Sequence, residues 1–512
     1  MPPTHLPMPA LPNPPSWFPG HMRKFTRILP ALLKRTDVVL EIRDSRLPLT
    51  SINRQLEGAL RQWRLERGWD ANQPSRRVMN NRACEHIVVL NKRDLVSEWG
   101  MEVSFGADGM APVGRPHLRT YSVFPTTAEE LTSQPFRMAM ANKFPEQRVL
   151  FASWHRPRDI RSLSDLLVSV AKQYPHAMEH NVLVVGMPNV GKSTLLNALR
   201  NMGIKGPTPK ALRTSALPGL TQSLSTRLKI SLDPLVYAFD SPGVMLPFLG
   251  QGTEGAERGA KLALIAGIKE GLYDMETLAA YLLYRLNVLN PIAPAYLHLL
   301  LPPLPSSQSR SQSYPPHRPT SDITEFLALL ARRMGMIKRG AEADFERAAT
   351  HLVRWWREEG GLIAATEGSA LAGLDLNTSA SVGDESNEEN GSAGDGDVVQ
   401  GWGFDFEWQV NRKTLAGLAP WSASGSSPLP SLFPVADGRA QPSLTCSTVP
   451  PTSLSPTMAG FIQGKMEHCI DQYMAEQEMQ EKEGHNVSKT QRKKREVEEE
   501  KRRRAEKMAR RM

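Results

Sequence analysis

The chain has 512 residues, 62 Lys+Arg against 53 Asp+Glu, and a formal charge of +9. That length predicts two to three domains with a large buried core, and 40% hydrophobic residues exclude a fibrous or wholly disordered chain. Cys84, Cys446 and Cys469 have no metal-ligand spacing, which argues against a disulfide scaffold and a zinc module.

The charge is unevenly spread. Residues 1–357 carry +16, residues 358–411 carry −12 with no base at all, and residues 412–512 carry +5. A basic body points to an anionic partner, most often nucleic acid; a merely solvated surface is the bland alternative.

In chain order, residues 1–16 are Pro-rich and unsuited to a helix. Arg23 to Lys34 has helical spacing. Apolar runs at Val38–Ile42, Ile87–Leu90, Val149–Phe151, Val182–Val185, Leu224–Leu232 and Leu235–Phe239 read as strands, several of them buried on both faces. A helix over Leu163–Tyr174 lies between two of them. Strands alternating with helices predict a doubly wound α/β domain over 17–250. Helical patterns follow at Ala256–Gly271, Met275–Leu289, Ile323–Arg333 and Ala341–Glu358, predicting a small all-α domain over 251–362. Residues 302–321 read as a disordered Pro/Ser insertion, residues 363–464 as a largely disordered acidic, Pro/Ser-rich linker, and residues 465–512 as a charged helical tail. Leu278–Leu301 is interrupted by Arg285, Asn287, Asn290, Pro291 and Pro294, so no membrane span is expected, and the N-terminus has no signal-peptide core.

Four motifs carry chemistry. Gly186-Met-Pro-Asn-Val-Gly191-Lys192-Ser193 follows a strand and opens a helix, which is the required context of a P-loop. Backbone N–H groups from Asn189 to Thr194, including Val190, would wrap the phosphates. Lys192 would meet the β/γ oxygens and Ser193 would bind Mg²⁺. Asn91-Lys92-Arg93-Asp94 ends another strand; Asp94 can accept two hydrogen bonds from guanine, whereas adenine would leave it unpaired. Asn91 would brace the nucleotide-binding loops. Asp240-Ser-Pro-Gly243 would reach Mg²⁺ through Asp240 and the γ-phosphate through the Gly243 N–H. Pro218-Gly-Leu-Thr221 would supply a hydroxyl to Mg²⁺. Phe151-Ala152-Ser153 is a weaker candidate for a backbone contact to guanine.

The motif order is unusual. NKRD precedes the P-loop by about 95 residues and DSPG comes last. Strand neighbours are set in space, so a rotated sequence can keep the same site; this order reads as a circularly permuted GTPase. Trp17-Phe-Pro-Gly-His-Met22, Asp44-Ser-Arg-Leu-Pro48, NKRD, GMPNVGKST, PGLT and DSPG together resemble the circularly permuted ribosome-assembly GTPases of the YlqF/RbgA type, and among them the mitochondrial members. The resemblance covers residues 17–360; it does not reach 363–512.

What the resemblance implies is specific. It implies GTP hydrolysis in assembly of the mitochondrial large ribosomal subunit, with rRNA contacts by the helical domain through Arg332, Arg333, Lys338, Arg339, Arg347, Arg354 and Arg357. Val244 stands where Ras-like enzymes place a water-orienting glutamine, so His21 becomes the candidate catalytic residue, beside Lys192 and Thr221; a helix-packing histidine is the alternative. Asn189 is the candidate K⁺ ligand. The implied cofactors are Mg²⁺ and K⁺, and the partners are GTP/GDP and the large subunit, for an expected monomer. The implied location is peripheral, on the matrix side of the inner mitochondrial membrane. The alternatives are a cytoplasmic or nucleolar assembly GTPase, or a non-hydrolysing GTP-binding rRNA placeholder.

Overall fold

Six short runs of aliphatic residues pair into one sheet: β1 (Val38–Asp44), β2 (Glu85–Asn91), β3 (Arg148–Ala152), β4 (His180–Gly186), β5 (Leu228–Leu232) and β6 (Leu235–Asp240). The computed structural model describes residues 7–15, 17–68, 83–96, 135–204, 206, 211–212, 214, 219, 221, 223–225, 227–246, 248–291, 294–300, 318–363, 397–411, 456–482, 493, 497 and 499–504. The strand order is β3-β2-β1-β4-β6-β5. Neighbours run parallel except β5, which pairs antiparallel with β6 at the edge. All seven residues of the central β1 are buried, the aliphatic Val38, Val39, Leu40 and Ile42 together with Glu41, Arg43 and Asp44.

Helices cover both faces. On one, α1 (Gly20–Leu33) and α2 (Arg54–Glu66) lay Phe25, Leu29, Leu33, Leu56, Leu60 and Trp63 over Val39, Leu183 and Val185. On the other, α4 (Pro157–Lys172) and α5 (Lys192–Gly203) cover Val38, Leu40, Ile42, Ile87, Val182 and Val184. Between them in chain order, α3 (Pro135–Lys143) covers Val88 and Leu90 from the α2 side. The α4/α5 core continues without a break into α6 (Gly252–Leu264), α7 (Met275–Leu289), α8 (Ile323–Met334) and α9 (Phe345–Trp355). Asp274, Asp322 and Asp344 cap α7, α8 and α9 by accepting from backbone N–H groups of the first turn.

Several expectations need correction. The helix expected over 256–271 ends at Leu264, because Ala266 adopts a left-handed conformation and the Gly267 N–H closes back onto the Leu262 carbonyl. The helix expected from Ala341 starts at Phe345, since an isolated bridge between Ile337 and Ala343 occupies the preceding residues. The last sheet pair is shorter than the sequence implies, with β5 beginning at Leu228. Of the 302–321 insertion only residues 318–321 are described; there, Thr320 is pinned by Asn287 and Tyr296.

The largest correction concerns the expected linker. Residues 397–411 form a hairpin of β7 (Asp397–Trp402) and β8 (Phe406–Asn411). Phe406, Trp408 and Val410 alternate inward and, with Trp402, join Phe136 and Phe151 in one aromatic cluster. Phe136 lies 4.7 Å from Trp402 and 5.5 Å from Phe406 between ring centroids. Fully burying each such ring contributes about 1.5–3 kcal/mol, which a two-stranded hairpin alone in water lacks. Helix α10 (Pro456–Lys482) also begins inside the expected linker, and places Ile462, Met466, Cys469 and Ile470 on the same cluster. Lys143 and Asn142 of α3 bind Asp471 and Glu467 of α10, each at 2.7 Å. The rest of the expected linker lies outside the described residues. Among the described residues no helix is long and apolar enough to cross a membrane.

Candidate functional site: a phosphate and purine pocket

The carboxyl ends of β2, β3, β4 and β6 open onto one pocket. It is lined by His21 of α1, Asn91 and Lys92 at the end of β2, Trp154 after β3, Pro188, Asn189 and Gly191 to Thr194 after β4, then Gly219, Thr221 and Gly243. All four sequence motifs therefore meet through their own lining residues, the PGLT motif through Gly219 and Thr221, since its Pro218 and Leu220 lie outside the described residues.

The P-loop is built by conformational constraint. Asn189 and Gly191 both have positive φ, 58° and 94°. A Cβ on Gly191 would sit 2.4 Å from the Asn91 amide, so glycine is required for both reasons. That amide donates to the Val190 carbonyl at 2.7 Å, tying the P-loop to the end of β2. Lys92, itself left-handed, donates to the Asn189 carbonyl at 3.0 Å. Gly243 passes so close to Pro188 that an added Cβ would meet it at 2.6 Å. Lys192 is buried and donates to the Met187 carbonyl at 2.7 Å; burial lowers its pKa to about 8, against the pull of Asp240.

Ser193 Oγ donates to Asp240 Oδ2 at 2.5 Å, and Thr221 Oγ1 lies 3.5 Å from Ser193 Oγ. The other Asp240 oxygen, Oδ1, is buried with no partner, and burial raises the carboxyl pKa. Two hydroxyls and an orphaned carboxylate oxygen form the all-oxygen donor set that suits Mg²⁺, and a cation there would offset the desolvation of Asp240. Ser193, Thr221 and Asp240 are thus the residues that could hold the metal. When bound, the ion would neutralise phosphate charge.

Some orphaned buried atoms belong to the pocket lining or its motifs. Besides Asp240 Oδ1 they include Asn91 Oδ1, Asp94 Oδ1 and His21 Nε2. Buried polar atoms without partners are uncommon in folded proteins, and those of the pocket lining and its motifs match a polar ligand. Burial lowers the His21 pKa, which favours the neutral imidazole. Val244 is buried among the α1 and α2 side chains and offers no polar group to the pocket.

Other sequence candidates are placed differently. The Ser153 N–H donates to Asp159 Oδ2 at 3.0 Å, so that backbone group is committed within the protein and Trp154 is the residue that lines the pocket. Arg332, Arg333, Lys338 and Arg339 are exposed around the α8–α9 turn, as are Arg347 and Arg354. Arg357 is turned inward, donating to the Leu264 and Ala263 carbonyls and to Glu270. Both Trp355 and Trp356 are buried.

Sequence reasoning left one part of the site unassigned. Asp44, at the end of β1, is fully buried; Oδ1 accepts from Arg46 Nε at 2.9 Å and Oδ2 from Arg46 Nη2 at 2.9 Å. Lys92 Nζ pairs with the same Oδ2 at 3.0 Å. The Arg46 guanidinium lies 4.8 Å from the Trp356 ring centroid. Asn189 Nδ2 donates to the Ile265 carbonyl at 3.3 Å. The nucleotide loops therefore touch the helical region at two points. The signal was present in Asp44-Ser-Arg46, but its partners are distant in sequence.

A mixed, largely parallel sheet with a P-loop, an NKRD strand and DSPG at its carboxyl edge defines a P-loop protein of the GTPase class. Residues 181–282 match the family model described as 50S ribosome-binding GTPase. The chain is 30% identical over 277 residues to mitochondrial ribosome-associated GTPase 1 of Xenopus tropicalis, covering 53% of this chain and 70% of that protein. It is 28% identical over 327 residues to mitochondrial GTPase 1 of Schizosaccharomyces pombe, covering 64% and 82%. A crystal structure of GNP-bound YlqF from T. maritima aligns at a TM-score of 0.35 and 18% identity, over 66% of this chain and 94% of that one. The chain belongs to the YlqF/RbgA-like GTPases, the family of mitochondrial ribosome-associated GTPase 1.

Proposed function

We propose that this GTPase hydrolyses GTP while assisting assembly of the mitochondrial large ribosomal subunit. The observation that carries the nucleotide reading is the meeting of the P-loop, NKRD, PGLT and DSPG residues at one pocket, with orphaned buried atoms on Asn91 and His21 in its lining and on Asp94 and Asp240 of the same motifs. Asp94 selects guanine, Lys192 and the P-loop amides hold the phosphates, and Ser193, Thr221 and Asp240 hold Mg²⁺. The G domain is circularly permuted over residues 17–250. The adjacency of the NKRD strand to β1, and of β1 to the P-loop strand, supports this, because it brings the motifs together despite their chain order.

His21 orients the attacking water. Its neutral imidazole, orphaned Nε2 and position in the pocket support that role, and Val244 leaves no competing group after DSPG. Asn189 ligates K⁺ through its remaining carbonyl oxygen. The names of the relatives support mitochondrial location and ribosome association. The exposed arginines and lysines around the α8–α9 turn support rRNA phosphate contacts. A direct path from DSPG to α6 supports transmission of the γ-phosphate state to the helical domain at 251–362. His21→Ala tests the mechanism: subunit-stimulated hydrolysis should be lost with GTP affinity retained, and undiminished turnover would refute it.

A further inference from the structure

Trp154 is an exposed indole that the fold has fixed in place. It is 48% exposed, in the loop after β3, yet the loop around it is tightly bound. Asp159 accepts the Ser153 N–H at 3.0 Å and pairs with Arg93 of NKRD at 3.3 Å. The His155 N–H donates to Ser153 Oγ at 3.2 Å, and the Arg156 N–H to the Ser153 carbonyl at 3.0 Å. The His155 ring sits 3.5 Å from the Trp154 indole, centroid to centroid. Asp159 thus registers this loop to the same strand end that carries Asn91, Lys92 and Asp94. Trp154 lines the same pocket as Asn91 and Lys92.

A half-exposed tryptophan leaves a large apolar face in water. Held rigid on a pocket wall beside a base-recognition motif, it loses little entropy on meeting a flat aromatic ligand. Asp94 Oδ1, buried without a partner, is an independent sign that the ligand presents hydrogen-bond donors at this end.

We infer that Trp154 is a base-binding residue, stacking its indole on the purine of the bound nucleotide. This rests on the GTP-binding reading and deepens it. Every purine has a π-face, so Trp154 raises affinity for guanine, hypoxanthine and xanthine nucleotides alike; discrimination stays with Asp94.

The test uses the full-length protein and its Trp154→Ala and Trp154→Phe variants. Binding of GDP, IDP and inorganic tripolyphosphate is measured, with tryptophan emission recorded during GDP titration. Base–aromatic stacking predicts that Trp154→Ala weakens GDP and IDP roughly five- to hundred-fold. Trp154→Phe should largely restore both, and tripolyphosphate binding should be unchanged in every variant. Emission should be quenched by GDP in the wild type and much less in Trp154→Phe. A side chain this exposed should leave the thermal midpoint unmoved. GDP affinity within about twofold of wild type in Trp154→Ala, or equal losses for GDP and tripolyphosphate, would overturn the stacking role alone. Loss of large-subunit binding with unchanged GDP affinity would also overturn it, in favour of an RNA contact. Wild-type protein that binds tripolyphosphate but no guanine nucleotide would overturn the GTP reading together with it.

Discussion

Asp44→Asn is the sharpest structural perturbation of the site that leaves every nucleotide-lining residue in place. The change is nearly isosteric and removes one negative charge. In the native protein that charge lies between Arg46, held bidentately at 2.9 Å, and Lys92 at 3.0 Å. Arg46 is buried, with Nη1 already lacking a partner, so it cannot recover its charge solvation in water. Removing one partner of a buried ion pair costs about 3–5 kcal/mol. The asparagine carbonyl can still accept one bond from Arg46, and Lys92 is partly exposed, so the lower end, about 3 kcal/mol, is expected. Lys92 would keep only the Asn189 carbonyl, loosening the join between NKRD and the P-loop. Urea unfolding followed by circular dichroism reads the first effect, and GDP titration reads the second. We expect a lower unfolding midpoint and GDP affinity down about tenfold, or about 1.4 kcal/mol. A loss below about 1 kcal/mol with unchanged GDP affinity would refute the idea that Asp44 joins the two loops.

Two further predictions follow from buried carboxylates elsewhere. Asp405, in the hairpin turn, accepts the Leu49 and Thr50 N–H groups at 2.8 and 2.7 Å and the Thr50 hydroxyl at 2.6 Å; Asp405→Ala should destabilise the chain by about 3 kcal/mol, and unchanged urea midpoints would mean that the hairpin is not docked. Glu41 is buried beside Arg43 and His86; burial alone would raise its carboxyl pKa, but Arg43 and then His86 outweigh it and hold the value at about 2. Because the folded pKa is depressed, that stabilisation is fully present above the unfolded value of 4.5 and is lost as pH falls towards about 2. Glu41→Gln should therefore be less stable at neutral pH yet lose less stability on acidification, and parallel acid-unfolding curves for the two proteins would contradict this.

The parallel core of the fold was legible because strands buried on both faces have little choice of composition. β1, β2 and β4 announce themselves as aliphatic runs, and the motifs at their ends follow. The hairpin was not legible for a physical reason. Phe406, Trp408 and Val410 alternate as a strand should, but they sit after an acidic, Gly/Ser-rich stretch, and their burial comes from Phe136 and Phe151, more than 240 residues away. Local pattern cannot report such distant stabilisation. Helix α2 was overlooked although Leu56, Leu60 and Trp63 form a regular buried stripe, because charged and amide residues dominate the rest of it. In the site, residue types carried the P-loop, NKRD and DSPG, whereas Trp154 and Asp44 depend on which strand ends are neighbours. Arg357 shows the opposite limit: its charge read as an RNA contact, but its position places it on the last carbonyls of α6.

Nucleotide hydrolysis by the full-length protein, assayed with and without purified mitochondrial large ribosomal subunits, tests the central claim most directly. Turnover should be GTP-selective, accelerated by large subunits and abolished by Lys192→Ala. Turnover that is absent under both conditions, or that persists in Lys192→Ala, would contradict it.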